Sequence, residues 1–516
     1  MATIARPDLE GVPDEKVLEE AFHSRRRGDH RDAFERFMAV YHRDETNPFV
    51  LIEAARCEAA VMNYPAMREL LTLAREKSEE DSFVLRLIGE AWFDFHFVEE
   101  ALAVFEAFYS GDSSEPEAIA KVLVCLERMN RVDEARLRLD SLSAAMRREP
   151  ALQPVRVKLA LRSGDPEKAI ALAEPFVRSP GKSEAEAPVA LFDLAAAFDA
   201  TGRPGDAWEA LRRAKEIRSK NPECEYERAL FPLHRTFLDR VRERVDAGVV
   251  ARWKADPPPG PQARLAFILG HPRSGTTVVE RILDNHPEIA SASEYPAFEI
   301  AISTAARANP QGDRTFVDPA SAWDIAGLRR KYFELMAGVF PEPVGSRLLL
   351  DKNPGLTDGV HGLVRMFPES KLLVMLRDPR DVILSCFFRD FGTTRLGVSC
   401  LMFEGAVDAW VATMGQWIGL RDAIPREQWL EIVYEDFVAD PSTQTGVMLR
   451  FLGCAPAATS ADEALSKGGF IRTPTYAQVG NKIRKDATGK WRPYSAYFEP
   501  HRSRLEPLMN ELGYFW

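Results

Sequence analysis

A repeat of 34 residues constrains this chain more than any other feature. Aligning segments that begin near Leu18, Ile52, Arg86, Ala120, Gln153 and Phe192 places Ala33, Met67, Ala101, Ala135, Ala169 and Ala207 in one column, with steps of 34, 34, 34, 34 and 38. A fixed period of this length marks stacked supersecondary units. Five residues earlier stands a second column, Gly28, Met62, His96, Asn130, Gly164 and Gly202. Four of its six members are turn-like, because Gly and Asn tolerate the conformation needed between two helices. Twelve residues before the alanine column, small residues recur at Ala21, Ala55, Gly89 and Ala195. Small side chains at both places let paired helices approach closely, and stacked pairs bury an apolar face that no single pair can bury.

In period, helix–turn–helix layout and alanine column the segment resembles the tetratricopeptide repeat, although the fuller consensus is degenerate in the second and third copies. About six repeats span residues 17–225, after an N-terminal extension of residues 1–16. The competing reading is an irregular helical array whose spacing reports only a core face. The resemblance implies an extended concave surface for a peptide or protein; oligomerisation, giving a homo-oligomer, and passive spacing are the plainer alternatives. A helical stretch from Leu230 to Lys254 follows, and Asp256-Pro-Pro-Pro-Gly-Pro261 then breaks any helix. Residues 226–260 are therefore a linker, and a second domain occupies 261–516.

Composition narrows the function. With 46% apolar and 28% charged residues among 516, the chain is globular and long enough for at least two domains. Its 67 basic and 78 acidic residues give a formal charge of −11, which disfavours nucleic acid or an anionic membrane as partner. No apolar run reaches membrane-spanning length, and the acidic start, with Asp8, Glu10, Asp14 and Glu15, is unlike a signal peptide. A soluble, cytoplasmic protein is expected. Its six scattered cysteines lack a CxxC pair and its nine histidines lack an HExxH pattern, so neither a disulfide framework nor a metal site is expected.

The second half opens with a phosphate cradle. Leu265–Leu269 is a continuous apolar run that reads as a buried parallel strand. Gly270-His-Pro-Arg-Ser-Gly-Thr-Thr277 then leads into the helical pattern Val278–Leu283. Unpaired amides and the positive end of the dipole at a helix start suit a phosphate-like group. A Walker A loop would continue with lysine after its second glycine; here Thr276 follows Gly275, and the nearest cation in the loop is Arg273. A second strand, Lys371–Leu376, runs into Arg377-Asp-Pro-Arg-Asp381, with Ser385 two helical turns further on. Both segments would face the carboxyl edge of the sheet, where α/β folds place ligands. Arginine offers a planar fork for a phosphate dianion and serine a hydroxyl donor. Two separate anion sites suit a nucleotide with phosphates at both ends of its ribose better than a linear triphosphate.

Together these residues resemble the sulfotransferase family, which uses 3′-phosphoadenosine 5′-phosphosulfate (PAPS) and releases the bisphosphate PAP. The resemblance spans roughly residues 264–516. It is nearest to the branch of tyrosylprotein sulfotransferases and bacterial repeat-fused sulfotransferases, through Asp284-Asn-His-Pro-Glu288, Asp351-Lys-Asn-Pro354, Val433-Tyr-Glu-Asp436 and Arg472–Val479. It implies an α + α/β chain: an all-α solenoid followed by a P-loop-like domain with a parallel sheet. By resemblance, Arg273, Ser274, Gly275, Thr276 and Thr277 hold the 5′-phosphosulfate, and Arg377 and Ser385 hold the 3′-phosphate. Glu294 matches the catalytic base, Lys352 a lysine that follows charge on the leaving oxygen as a mobile point charge, and Arg273 a second electrostatic stabiliser. His271, Glu280 and His286 are weaker base candidates, His286 rather organising the turn before Pro287. Tyr434 contacts the 3′-phosphate or is a half-buried strand tyrosine.

From Phe470 to Arg504 eight basic residues face two acidic ones, a solvated face or a loop closing over the nucleotide. Lys490 is its foremost ligand, while Gly489 departs from a serine of the tyrosylprotein branch, a hydroxyl that Thr488 would have to replace. Trp491 reads as core rather than as a base-stacking platform. The expected activity is sulfuryl transfer from PAPS, without a metal, to an acceptor hydroxyl. That acceptor is a peptide or protein tyrosine held by the repeats if the branch similarity carries over; lipid, glycan and small-molecule acceptors stay open. Two alternatives are a repeat scaffold with a degenerate nucleotide-binding domain, opposed by intact Arg273, Arg377, Ser385 and Glu294, and a P-loop kinase acting on a small molecule, opposed by Thr276.

Overall fold

A computed structural model of the chain describes residues 11–61, 63–78, 81–109, 115–178, 187–261, 263–318, 323–340, 342–456, 460–466, 483 and 487–516. These form two compact units, one of residues up to Ile217 with Asn221–Tyr226, the other of Arg218–Lys220 and the chain from Glu227 onward.

The first unit is helical throughout. Its helices run in pairs: Asp14–Arg26 with His30–Tyr41, Pro48–Ala60 with Tyr64–Glu76, Ser82–Asp94 with Val98–Tyr109, Pro116–Arg128 with Val132–Ser141, Gln153–Arg162 with Pro166–Arg178, and Ala187–Ala200 with Pro204–Arg218. All six members of the alanine column, Met67 included, are completely buried. The turn column takes the left-handed backbone at Gly28, His96, Asn130, Gly164 and Gly202, with φ between 62° and 78°. Met62 lies outside the described residues. His96 adopts this conformation without being glycine or asparagine, the conformation being set by the helices on either side of it. At Gly89 a β-carbon would stand 2.5 Å from the ring of Phe105, so the close approach expected of a small residue is real there.

Charge also follows the repeat. The first helix of each pair is tied to the first helix of the next by Arg25–Glu53 (3.6 Å), Arg56–Asp94 (2.6 Å), Lys121–Glu90 (3.1 Å), Arg162–Glu127 (2.7 Å) and Lys158–Asp193.

The chain enters the second unit along the helix Glu223–Arg244 and continues in Ala247–Ala255, where the sequence suggested one stretch from Leu230. Asp246 divides them by capping the second, accepting from the Val249 amide at 2.8 Å. Five parallel strands follow: β1 (Leu265–Gly270), β2 (Ile289–Ser291), β3 (Leu348–Lys352), β4 (Lys371–Leu376) and β5 (Trp429–Val433), in the order β2-β3-β1-β4-β5. The core strand β1 is buried along its whole length, as an apolar run covered on both faces requires. The chain reverses its direction of winding at β1, so the carboxyl ends of β3, β1 and β4 flank a switch point where α/β sheets bind ligands. No described helix is long and apolar enough to cross a membrane.

Candidate active site

Strand β1 ends at Gly270, whose φ of 127° and lack of a β-carbon let it lie against the Met375 carbonyl. Thr357 pins it, donating its hydroxyl to the Gly270 carbonyl and accepting from the Gly270 amide, both at 2.8 Å. The loop then turns through Arg273 (φ 77°) and Gly275 (φ 102°) into the helix Thr276–Asp284, with Thr276 and Thr277 buried in its first turn. Gly275 has a second reason to be glycine: a β-carbon there would be 2.5 Å from the Tyr434 ring. Ser274 is buried, and its hydroxyl has no hydrogen-bond partner among the described residues. An orphaned donor beneath an open helix N-terminus is costly unless a ligand satisfies it.

Beside the loop, Arg377 follows β4. Its Nη1 donates to the Arg273 carbonyl (2.9 Å), its Nη2 to the Ala487 carbonyl (2.6 Å), and its plane lies 4.7 Å from the Tyr434 ring centre. Its Nε is buried without a partner among the described residues. Tyr434 is therefore not a half-buried strand residue; it is buried and opens the helix Tyr434–Ala439, its ring wedged between Arg377 and Gly275. The two anion-binding segments are also not separate. Arg273 reaches across to Ser385, Nε donating to the hydroxyl at 3.1 Å. Desolvation, with the like charges of Arg389 and Arg377, pushes the Arg273 guanidinium down to about 9, and it stays charged at neutral pH. A cation crowded by cations is one that gains from an incoming anion.

Asp381 closes this side. Buried in the helix Pro379–Phe387, it accepts the amides of Gly489 (2.7 Å) and Trp491 (3.0 Å) and so holds the segment carrying Lys490, which is exposed. Gly489 thus contributes its amide to Asp381. Trp491 is not core: it is half-exposed, with the Arg380 guanidinium 3.7 Å above its ring. Arg472 and the basic residues Lys482, Arg484 and Lys485 lie outside the described residues.

On the other side of β1 stands a cluster of charge. Lys352, the last residue of β3, is completely buried, with Nζ 2.5 Å from Glu294 Oε1 and 3.1 Å from Glu280 Oε2. It is neither a surface lysine nor a mobile charge, because two carboxylates hold it. Burial alone would lower its pKa; Glu280 and Glu294 raise it on balance. Glu294 sits at φ 52°, its amide donating to the Lys352 carbonyl at 2.8 Å, and its side chain is 36% exposed, so solvent or a substrate reaches it. Glu280 is buried in the helix Thr276–Asp284. Its pKa is raised by desolvation despite Lys352 and a 2.7 Å hydrogen bond from the Ser291 hydroxyl. Asp351, on the opposite face of β3, is buried and raised well above the usual carboxylate range by desolvation and Glu299, though Tyr332 donates to it at 2.9 Å.

Burial pushes His271 down to about 4, and its Nδ1 donates to the Pro272 carbonyl at 2.9 Å. His286 organises its turn, Nδ1 accepting from the Glu288 amide at 3.2 Å. Sequence reasoning missed Glu280 as the partner of Lys352, Asp381 as an anchor and Thr357 as the pin of the loop.

A family match lies in this unit. Residues 266–457 fit the model of the sulfotransferase family. A Caenorhabditis briggsae protein provisionally named a protein-tyrosine sulfotransferase is 31% identical over 265 residues, 49% of this chain and 89% of that one. The chain belongs to the sulfotransferase family. Protein-tyrosine sulfotransferase 2 of Gallus gallus is 26% identical over 261 residues, 48% of this chain and 69% of that protein. Among solved structures, the sulfotransferase domain from the curacin biosynthetic pathway aligns at 20% identity with a TM-score of 0.35, over 49% of this chain and 99% of that domain. As a member of the family this protein is an enzyme, a transferase of sulfuryl groups.

Proposed function

We propose that this sulfotransferase takes its sulfuryl group from PAPS, releases PAP, and delivers the group to a hydroxyl of a peptide or protein, tyrosine in the first instance, held by the helical repeats. The reading rests above all on two buried donors, Ser274 Oγ and Arg377 Nε, that lack partners on adjoining strand ends. Orphaned donors of this kind fit a bisphosphorylated nucleotide, with Ser274, Gly275, Thr276, Thr277 and Arg273 toward the 5′ group and Arg377, Ser385 and Tyr434 toward the 3′-phosphate. Lys490, in the segment that Asp381 holds through the Gly489 and Trp491 amides, would be a further ligand. The bound donor supplies a sulfuryl group on a phosphate leaving group. Glu294 takes the acceptor's proton at a carboxylate oxygen, from the solvent-accessible side of its ion pair with Lys352. Lys352 and Arg273 provide fixed positive charge where negative charge develops. The tyrosine acceptor is carried over from the names of the relatives, and its presentation by the repeats from their resemblance to peptide-binding arrays.

PAP binding tests the donor assignment. At about 100 times its dissociation constant, PAP should add about 2.7 kcal/mol of stability, read as a rise in melting temperature. Arg377→Ala should weaken PAP by roughly 10- to 100-fold, the worth of hydrogen bonds to a charged group, and leave adenosine 5′-phosphate almost unaffected. No protection by PAP would remove PAPS as donor, and equal weakening of both nucleotides would remove Arg377 from the 3′ end.

A further inference from the structure

Glu294 and Lys352 supply a base and a cation, which leaves Glu280 without a stated task. It is the most deeply buried carboxylate of the three-residue cluster, 4% exposed, whereas the Glu294 side chain is 36% exposed. One lysine needs one counter-ion. A second buried carboxylate adds a desolvation cost with no charge left to neutralise. Glu280 is nonetheless built in. It stands one turn beyond Thr276 on the helix that opens at the phosphate loop, Ser291 donates to its Oε1 at 2.7 Å, and its Oε2 lies 3.1 Å from Lys352 Nζ.

The geometry points to Glu280 as a positioning residue that keeps Lys352 in place and charged while Glu294 takes up the acceptor's proton. This rests on Glu294 as the base. Before reaction Lys352 is shared by two carboxylates. As the acceptor O–H bond breaks, its proton passes to a Glu294 oxygen, and the acceptor oxygen keeps the electron pair with which it bonds sulfur. The bond from sulfur to the donor's phosphate oxygen breaks, and PAP leaves with the electron pair of that bond. Glu294 is then neutral and its ion pair with Lys352 lapses. A fully buried ammonium left alone would tend to lose its proton. Glu280 remains as its single counter-ion, and the N–H that had faced Glu294 becomes free to donate elsewhere.

The other charged groups around the cluster do not replace Glu280. Asp351 on β3 is held toward its neutral form, Glu299 on the helix Ala297–Ala308 accepts from Asn353 at 2.8 Å, and Arg273 in the loop is itself a cation. Ser291 and Ser293 contribute hydroxyls without charge.

Glu280→Gln keeps the size of the side chain and an acceptor for Ser291. Removing this charge should move both limbs of the kcat/KM pH profile to lower pH, the alkaline limb by about one unit or more. In the protein free of nucleotide, 15N-lysine NMR should show Lys352 titrating correspondingly lower. Ser291→Ala, which only loosens Glu280, should displace both readouts the same way by less, and it decides the matter alone if Glu280→Gln does not fold. Activity that falls evenly at every pH, or not at all, with the Lys352 resonance unmoved makes Glu280 a packing group and overturns the proposal. If Glu294→Gln retains turnover, the base assignment fails instead, while the Lys352 titration still judges Glu280.

Discussion

The helical unit and the α/β unit treat charge in opposite ways. Along the helices cations and carboxylates alternate in a shared ladder, Arg56 lying against both Glu53 and Asp94 and Glu90 against both Arg86 and Lys121, and most partners stay partly in water, as Arg56 and Asp94 do at 16% and 53% side-chain exposure. These pairs set register between successive helices and carry little energy individually. At the sheet edge the matching is deliberately uneven. Lys352 has two carboxylates, while among the described residues Arg377 donates to carbonyl oxygens and keeps a buried N–H unused. Balanced charge holds a scaffold; unbalanced charge is what a substrate comes to complete.

Glu294→Gln tests this contrast most severely. Turnover should fall by roughly 10²- to 10⁴-fold, the contribution of a positioned general base. PAP protection and the melting temperature should stay near those of the native protein, because Lys352 keeps Glu280 as its counter-ion. Sulfate transfer, followed by mass shift of the acceptor, and thermal unfolding measure the two sides. A collapse of stability would mean that Lys352 is not truly shared. Retained turnover would place the base elsewhere.

The parts of the molecule legible in the sequence are those in which a local pattern has a local cause. Ala33 and its successors recur because helix contact needs a small side chain at one spacing, and all six are buried. Strands β1 and β4 read as apolar runs because both faces are covered. His96 was not legible as a turn residue, since histidine takes a φ of 67° far less readily than glycine. The three residues of β2 are too few to carry a pattern. In the site, the loop from Arg273 to Thr277 was legible as a unit because glycines and a helix start cluster within it. The pairing of Lys352 with Glu280, and of Asp381 with the amides of Gly489 and Trp491, joins segments far apart in sequence. The available signal was a carboxylate among Val279, Ile282 and Leu283 on the buried side of an amphipathic helix, a position that demands a partner.

A smaller effect separates the units by pH. Burial pushes His361 down to about 4 from 6.5, its Nε2 donating to the Arg314 carbonyl at 3.2 Å and its Nδ1 unpartnered. The unfolded chain takes up this proton below pH 6.5 and the folded one only near 4, so the group destabilises the fold progressively as pH falls across that window, by about 3 kcal/mol at its end. Asp351 and Glu280 act in the opposite sense, since their raised values let the folded state take up protons first. The whole-protein curve therefore mixes signs, and the measurement is a difference. His361→Gln, which keeps a donor for Arg314, should gain stability relative to the native protein between pH 6.5 and 4. A constant difference across that range would mean that His361 is protonated in the fold.

The smallest expected effect lies in the ladder. Asp94→Ala removes the 2.6 Å pair with Arg56; the Asp94 side chain is more than half exposed and Arg56 keeps Glu53, so the cost should be below about 1 kcal/mol. Turnover of a free phenolic acceptor should be unchanged, because the variant touches no group that binds the donor or moves the proton. A peptide acceptor makes the same variant sharper. If the repeats hold peptides along the face that carries these pairs, KM for the peptide changes while kcat and the small acceptor do not. A parallel loss with both acceptors would instead show that this rung governs the catalytic edge, and the division between a balanced scaffold and an unbalanced site would no longer hold.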